Sequence, residues 1–225
     1  MKRMRFFRKC LLVALAMVAF YAAAAGQGSL PTISYTQDFE GSNPSHYELT
    51  ISSDGHGKYA SNGQLSAKAE PADLTAVDFT ISDKVRQQIF DLAKRAKYFD
   101  GKVDSGRSNI ANTGTKVLTY KDDKRSTKAT YNYSPVPAVA DLTSIFQNLC
   151  TTLEFGRRLA FFHKYQKLAL DDELKRMDEM RRDTMLGDLQ AIAPILRDIA
   201  NDQKVMNVSR SRALRLLATA DLAGK

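Results

Sequence analysis

The side chains able to do chemistry are thinly spread. His46, His56 and His163 are the three histidines, and metal binding or general acid–base catalysis would begin with them. His46 and His56 flank Tyr47–Ile51, whose alternation reads as a strand. At about 3.3 Å per residue they stand at its opposite ends, too far apart for one metal ion. His163 falls in a helical region, and all three read as surface residues. Asp54-Gly55-His56-Gly57 lacks the further oxygen ligands and closing Glu of a calcium loop, whereas a hairpin turn accounts for it. Asp104-Ser105-Gly106-Arg107-Ser108 has no phosphate-cradling glycine pattern with a Lys and reads as a solvated loop. Neither a Gly-x-Ser-x-Gly elbow nor a His-Glu-x-x-His pair is present. The expectation is no catalytic residue, no metal site and no cofactor.

The elements that would position such groups fall in two parts, 26–155 and 156–225. In the first, Ile33 and Tyr35, then Tyr47, Leu49 and Ile51, alternate with polar residues as half-buried strands. Phe39 is a further candidate for the first of these strands. Lys58–Ser61 returns as a hairpin partner after Asp54–Gly57. Leu74–Ile81 and the pair Lys116–Tyr120 and Thr127–Tyr133 complete the strands. Ser82 predicts an N-cap for a helix to about Lys97, with Val85, Ile89, Leu92, Ala93 and Ala96 on one face. A second helix is predicted over about Ala138–Phe155, with Val139, Leu142, Phe146, Leu149 and Leu153 inward. Strands and helices that each have one apolar face pack together, so the fold class is α+β: a small antiparallel sheet with packed helices, followed by an all-helical C-terminal part.

From Gly156 the strand signal stops. One long helix is predicted from Arg157 to about Met185, with acid-before-base pairs Asp171–Lys175, Asp172–Arg176 and Asp178–Arg182. A segment kinked or split at Pro194 follows, then a last helix capped by Ser209. Phe161, Phe162, Tyr165, Leu168 and Leu170 are too many apolar groups for one thin stripe. Phe161, Phe162, Tyr165 and Leu168 are therefore read as an interaction surface for a partner protein or a second copy. Arg157, Arg158, Lys164 and Lys167 do not make a basic membrane-binding face, because Asp171 to Glu173 follow them.

The first 25 residues read as a secretory leader. Lys2, Arg3, Arg5, Arg8 and Lys9 precede an uncharged run, Cys10–Ala25, that is short for a membrane span. Ala23-Ala24-Ala25 predicts cleavage between Ala25 and Gly26. Removing those five cations from 33 leaves 28 against 25 acids, a net of +3. That balance predicts no nucleic-acid partner. It also leaves Cys150 as the only cysteine, so no internal disulfide is available and the core must carry the stability. Cys150 is read as a packed thiol, with an intermolecular disulfide as its alternative.

Tyr47-Glu48-Leu49-Thr50-Ile51 with Asp54-Gly55 and Tyr59, the Phe79–Phe99 strand and helix, Leu118-Thr119 and Tyr131-Asn132-Tyr133 resemble an exported bacterial α+β domain of no assigned activity. The whole chain, especially Leu153–Ala220, is similar to secreted proteins of acidobacteria. Asp188–Ala220, with Leu196, Ile199-Ala200-Asn201-Asp202 and Arg212-Ala213-Leu214, is similar to a single HEAT-type helical pair. One pair is too few for a solenoid. The resemblance implies export and an α+β fold, and implies no site. The function expected is non-enzymatic binding or assembly in the periplasm, envelope or medium, with membrane contact only during export. The alternative is an envelope hydrolase whose site is built from dispersed residues.

Overall fold

The computed structural model describes residues 29–66, 74–107 and 109–223. The leader, with its Ala25–Gly26 cleavage point, lies outside the described residues. Six strands form one antiparallel sheet: β1 (Thr32–Asp38), β2 (His46–Ser52), β3 (His56–Ser61), β4 (Thr75–Thr80), β5 (Thr115–Lys121) and β6 (Ser126–Tyr131), in the order β4-β3-β2-β1-β5-β6.

Register follows from the period-two pattern, because a one-residue slip would turn every apolar side chain to the open face. Tyr35 pairs with Leu49 on one side and Leu118 on the other, Leu49 with Tyr59, and Leu118 with Ala129. These side chains are buried and form a continuous row across the sheet. The neighbouring row runs Gly57, Ile51, Ile33, Tyr120. A Cβ on Gly57 would stand 2.3 Å from the Phe79 ring, so Gly is required for Phe79 to lie across β3. Phe39, just past β1, is exposed and takes no part.

Among the described residues the α-helices are α1 (Asp83–Arg95), α2 (Pro137–Tyr165), α3 (Leu170–Arg182), α4 (Ala193–Asn201) and α5 (Asn207–Ala223). The α+β class with a helical C-terminal part is therefore observed. Helix α2 crosses the strands. Its Thr143 hydrogen-bonds Tyr131 of β6, Phe146 stacks on Tyr35 of β1, and Tyr59 of β3 reaches Cys150. Thr143 to Arg157 spans about 21 Å of helix, close to the roughly 19 Å from β6 to β3, five strands of the sheet. Val139, Leu142, Phe146, Leu149 and Leu153, the predicted inward stripe, are all buried.

The predicted helix end near Phe155 is not a break: α2 runs through Gly156 to Tyr165 and ends at Gln166, whose φ is −145° and ψ 60°. Gly156 serves packing instead, since a Cβ there would come 2.5 Å from Ile192 Cγ2. The one long helix from Arg157 to Met185 is accordingly the end of α2, a short turn and α3. The segment around Pro194 is split, as one of the two expected outcomes, into a 3-10 turn Leu189–Ile192 and α4, with Pro194 in the first turn of α4, where its missing N–H costs nothing. The last helix starts at Asn207, leaving Ser209 buried inside it.

Ser82 stands at the N-cap of α1, but its hydroxyl makes no capping bond. Asp188 performs that kind of service from a distance. Its Oδ2 accepts the Ser82 N–H at 2.6 Å and its Oδ1 the Gln190 N–H at 3.0 Å. In α3 the expected pairs are redistributed: Asp171 bonds Arg212 of α5 at 2.9 Å, Arg176 bonds Glu173 at 3.2 Å, and Asp178 bonds Arg181 at 3.1 Å. Only Asp178–Arg182 survives, at 3.9 Å.

Candidate functional site

The C-terminal end of α2 carries the aromatic residues singled out from the sequence. Phe161 and Phe162 rings stand 5.7 Å apart edge to face, and Phe161 and Tyr165 rings 5.2 Å apart. Phe162 packs partly on the core, while Tyr165 is 63% and Leu168 80% exposed. Leu170, the fifth apolar residue of the run, is fully buried instead.

The end is held in place by a polar clamp. His163 Nε2 lies 2.9 Å from Asp202 Oδ2, Lys167 Nζ donates to the same oxygen, and the Lys204 N–H donates to Oδ1 at 2.8 Å. The Lys167 hydrogen bond, then the Lys204 N–H, hold the Asp202 carboxyl well below its usual range. Lys164 Nζ lies 5.0 Å from the Tyr165 ring centroid, a cation–π contact. Its hydrogen bond with Tyr165 raises the Lys164 pKa. The result is an exposed apolar pair, Tyr165 and Leu168, beside a braced helix end.

The densest polar cluster is buried under α2, where it meets β3. Glu154 Oε1 accepts from Tyr59 at 2.8 Å, Ser61 at 2.5 Å and Arg157 Nη1 at 2.8 Å. Arg157 also donates to Ser61 Oγ, and Arg158 approaches Glu154 Oε2 at 3.9 Å. Cys150 Sγ lies 3.0 Å from the Tyr59 hydroxyl. Burial pushes the Cys150 thiol up to about 12, so the nucleophilic thiolate is not formed at neutral pH. Burial likewise raises the Tyr59 and Tyr47 hydroxyls far above their usual range. Every acceptor position on Glu154 Oε1 is taken by a neighbour. The cluster therefore fixes the register of α2 on the sheet, and the buried sulfur is closed to an intermolecular disulfide.

A second polar row is half-buried at Gln37 and Gln147 and buried at Lys116. Gln37 Oε1 accepts from Tyr35 at 2.8 Å, Tyr47 at 2.8 Å and Gln147 of α2 at 3.0 Å. Lys116, 4% exposed, directs Nζ at the Thr113 carbonyl (3.0 Å), Thr113 hydroxyl (2.8 Å), Gly114 carbonyl (3.3 Å) and Asn132 carbonyl (3.0 Å). Loss of water around the ammonium lowers the Lys116 pKa. Its work is to pin the loop before β5, since all its acceptors are neutral loop atoms.

The remaining candidates resolve into structural roles. His46 and His56 stand at opposite ends of the β2–β3 hairpin. His46 Nδ1 meets Asp38 Oδ1 at 2.5 Å across the β1–β2 pair. Asp54 accepts the His56 N–H at 3.1 Å, and Gly55 turns with φ +89°. Asp104 accepts N–H groups from Gly106 at 2.7 Å and Asn132 at 3.2 Å, and the Gly106 bond holds its carboxyl low. It staples its own loop, of which Ser108 lies outside the described residues.

Among the described residues no group of three His, Cys, Asp or Glu is placed to hold a metal ion, and no helix is long and apolar enough to cross a membrane. No protein-family model matches the sequence, and no curated protein matches it either.

Proposed function

We propose that the chain is an exported, non-enzymatic binding or assembly protein that makes its contact through the C-terminal end of α2. One observation carries this reading: Tyr165 and Leu168 stand outward, Tyr165 against the half-buried Phe161 ring, beside His163 and Lys167 side chains that are both bonded to Asp202. Aromatic anchors on a rigid support are the groups that dominate protein–protein contacts. The chemistry-capable groups support the same reading, because Cys150 is a buried thiol and Glu154 is buried with Oε1 accepting three hydrogen bonds. Neither can reach a substrate without dismantling the α2–sheet junction.

Assembly with a second copy is the form of contact to test first, since it needs no other component. Light scattering during size exclusion, on the wild-type chain and on Tyr165→Ser/Leu168→Ser, measures it. The reading expects a concentration-dependent mass above that of the monomer in the wild type and a monomer in the variant. A wild-type monomer at every concentration removes assembly through this tip.

A further inference from the structure

A cavity of about 320 Å³ lies where the start of α1, the middle of α2, the loop after α3 and the end of α5 converge. That volume falls in the small-ligand range of ~300–1,000 Å³. Its body is apolar, made by Val85, Ile145, Leu149, Leu186, Leu189 and Ala220. Its polar lining is Lys84, Gln88, Asn148, Arg181, Asp188 and Thr219, together with Gly187 of the loop.

The walls are fixed by backbone contacts. The Gly187 N–H donates to the Asn148 carbonyl at 3.0 Å and Thr152 Oγ1 at 2.9 Å. A Cβ on Gly187 would stand 2.6 Å from the Leu149 backbone nitrogen, so the loop lies directly on α2. The one carboxylate in the lining, Asp188, is already occupied by the N–H groups of Ser82 and Gln190. The two cations differ: Arg181 is paired with Asp178 and Lys84 is not. Lys84 is exposed and makes no ion pair among the described residues. Arg181 gives Nε and Nη2 to Asp178 and keeps Nη1. The cavity thus joins an apolar body to one unpaired cation, Lys84, at its edge, with Arg181 Nη1 left to donate a hydrogen bond.

We propose that this cavity binds a small anionic amphiphile, a carboxylate carrying a compact apolar chain. At about 30 Å³ per water-sized group, the space holds on the order of ten non-hydrogen atoms, the size of octanoate. The chain fills the body and the carboxylate meets Lys84 and Arg181. This site is separate from the aromatic tip of α2 and stands or falls independently of it.

Calorimetric titration of the full chain with octanoate, octanol and octylammonium tests the proposal. Octanoate should show one saturable site, octanol weaker binding, and octylammonium none. Lys84→Gln, an exposed substitution, should weaken octanoate by about threefold, the order of one exposed ion pair. Ala220→Phe should fill the cavity and abolish binding, while Tyr165→Ser should leave it unchanged. If Ala220→Phe fails to fold, Lys84→Gln still decides. Absence of a saturable site, equal binding of all three amphiphiles, or octanoate binding indifferent to Lys84→Gln would overturn it.

Discussion

Tyr59 and Glu154, 95 positions apart, share a hydrogen bond of 2.8 Å beneath α2. That bond joins β3 to the middle of the long helix, and Ser61 and Arg157 complete the junction around the same carboxylate oxygen. A buried ion pair of this kind is weak evidence of stability against an apolar alternative, but breaking it from one side is costly.

Removing the carboxylate alone leaves Arg157 buried without its counter-charge. Glu154→Ala should lower unfolding free energy by about 3–5 kcal/mol. Replacing both partners, as Glu154→Leu/Arg157→Met, should recover most of the loss. Urea denaturation with an unchanged m-value checks both. A loss under ~1 kcal/mol for Glu154→Ala would show that the junction carries little.

Alkaline pH should destabilise the fold in two stages. The folded Cys150 thiol is raised by burial to about 12, against ~8.5 in an unfolded chain. A raised pKa contributes stability that is complete below the unfolded value and lost as pH rises toward the folded one. The decline should start near pH 8.5, at about 1.4 kcal/mol per pH unit. Tyr35, Tyr47 and Tyr59, all raised by burial, add their share above about pH 10. Cys150→Ala should move the onset to about pH 10. Stability measured against pH for the two proteins gives the answer, and identical profiles would refute the assignment.

Asp188 should matter more than its place in a loop implies. Asp188→Ala strips the acceptor from the Ser82 and Gln190 N–H groups at the starts of two helical segments. The expected loss is about 1–2 kcal/mol, with Asp188→Asn losing less because one oxygen remains. Chemical denaturation of the three proteins ranks them. Equal stability of wild type and Asp188→Ala would remove the cap.

Gly156 offers a test in which local propensity and packing oppose each other. Alanine improves an exposed helix by about 1 kcal/mol over Gly. At this position its Cβ meets Ile192 Cγ2 at 2.5 Å. Gly156→Ala should therefore destabilise by about 1–3 kcal/mol. Ile192→Leu, which has no Cγ2 branch, should reverse part of that in the double variant. A double-mutant cycle measures the coupling, and simple additivity would contradict the close contact.

The strands were legible because Tyr47, Leu49 and Ile51 alternate with polar residues and leave one register that buries them all. The inward stripe of α2 was legible for the same reason. Gly156 misled because glycine signals a helix end in isolation, whereas its role comes from Ile192, 36 positions on, which no local pattern shows. The Ser82 cap was displaced by Asp188, again a distant residue. Glu154 and Arg157 look like an ordinary exposed (i, i+3) pair. Only the approach of Tyr59 and Ser61 makes them a buried junction. Lys116 carries no sequence signal, since a lysine at the start of a strand reads as a surface residue. Of the apolar residues too many for one stripe, Tyr165 and Leu168 stand outward, Phe161 and Phe162 are half-buried and Leu170 is buried, a division that depends on where α2 ends at Gln166 and that no local pattern shows.

The claim that this tip is the working surface is tested most directly by light scattering on the wild-type chain and on Tyr165→Ser/Leu168→Ser across a concentration series. The wild type should assemble as concentration rises, while the variant keeps the wild-type melting curve and remains a monomer. A wild-type protein that is monomeric throughout, or a variant that assembles equally well, would contradict it.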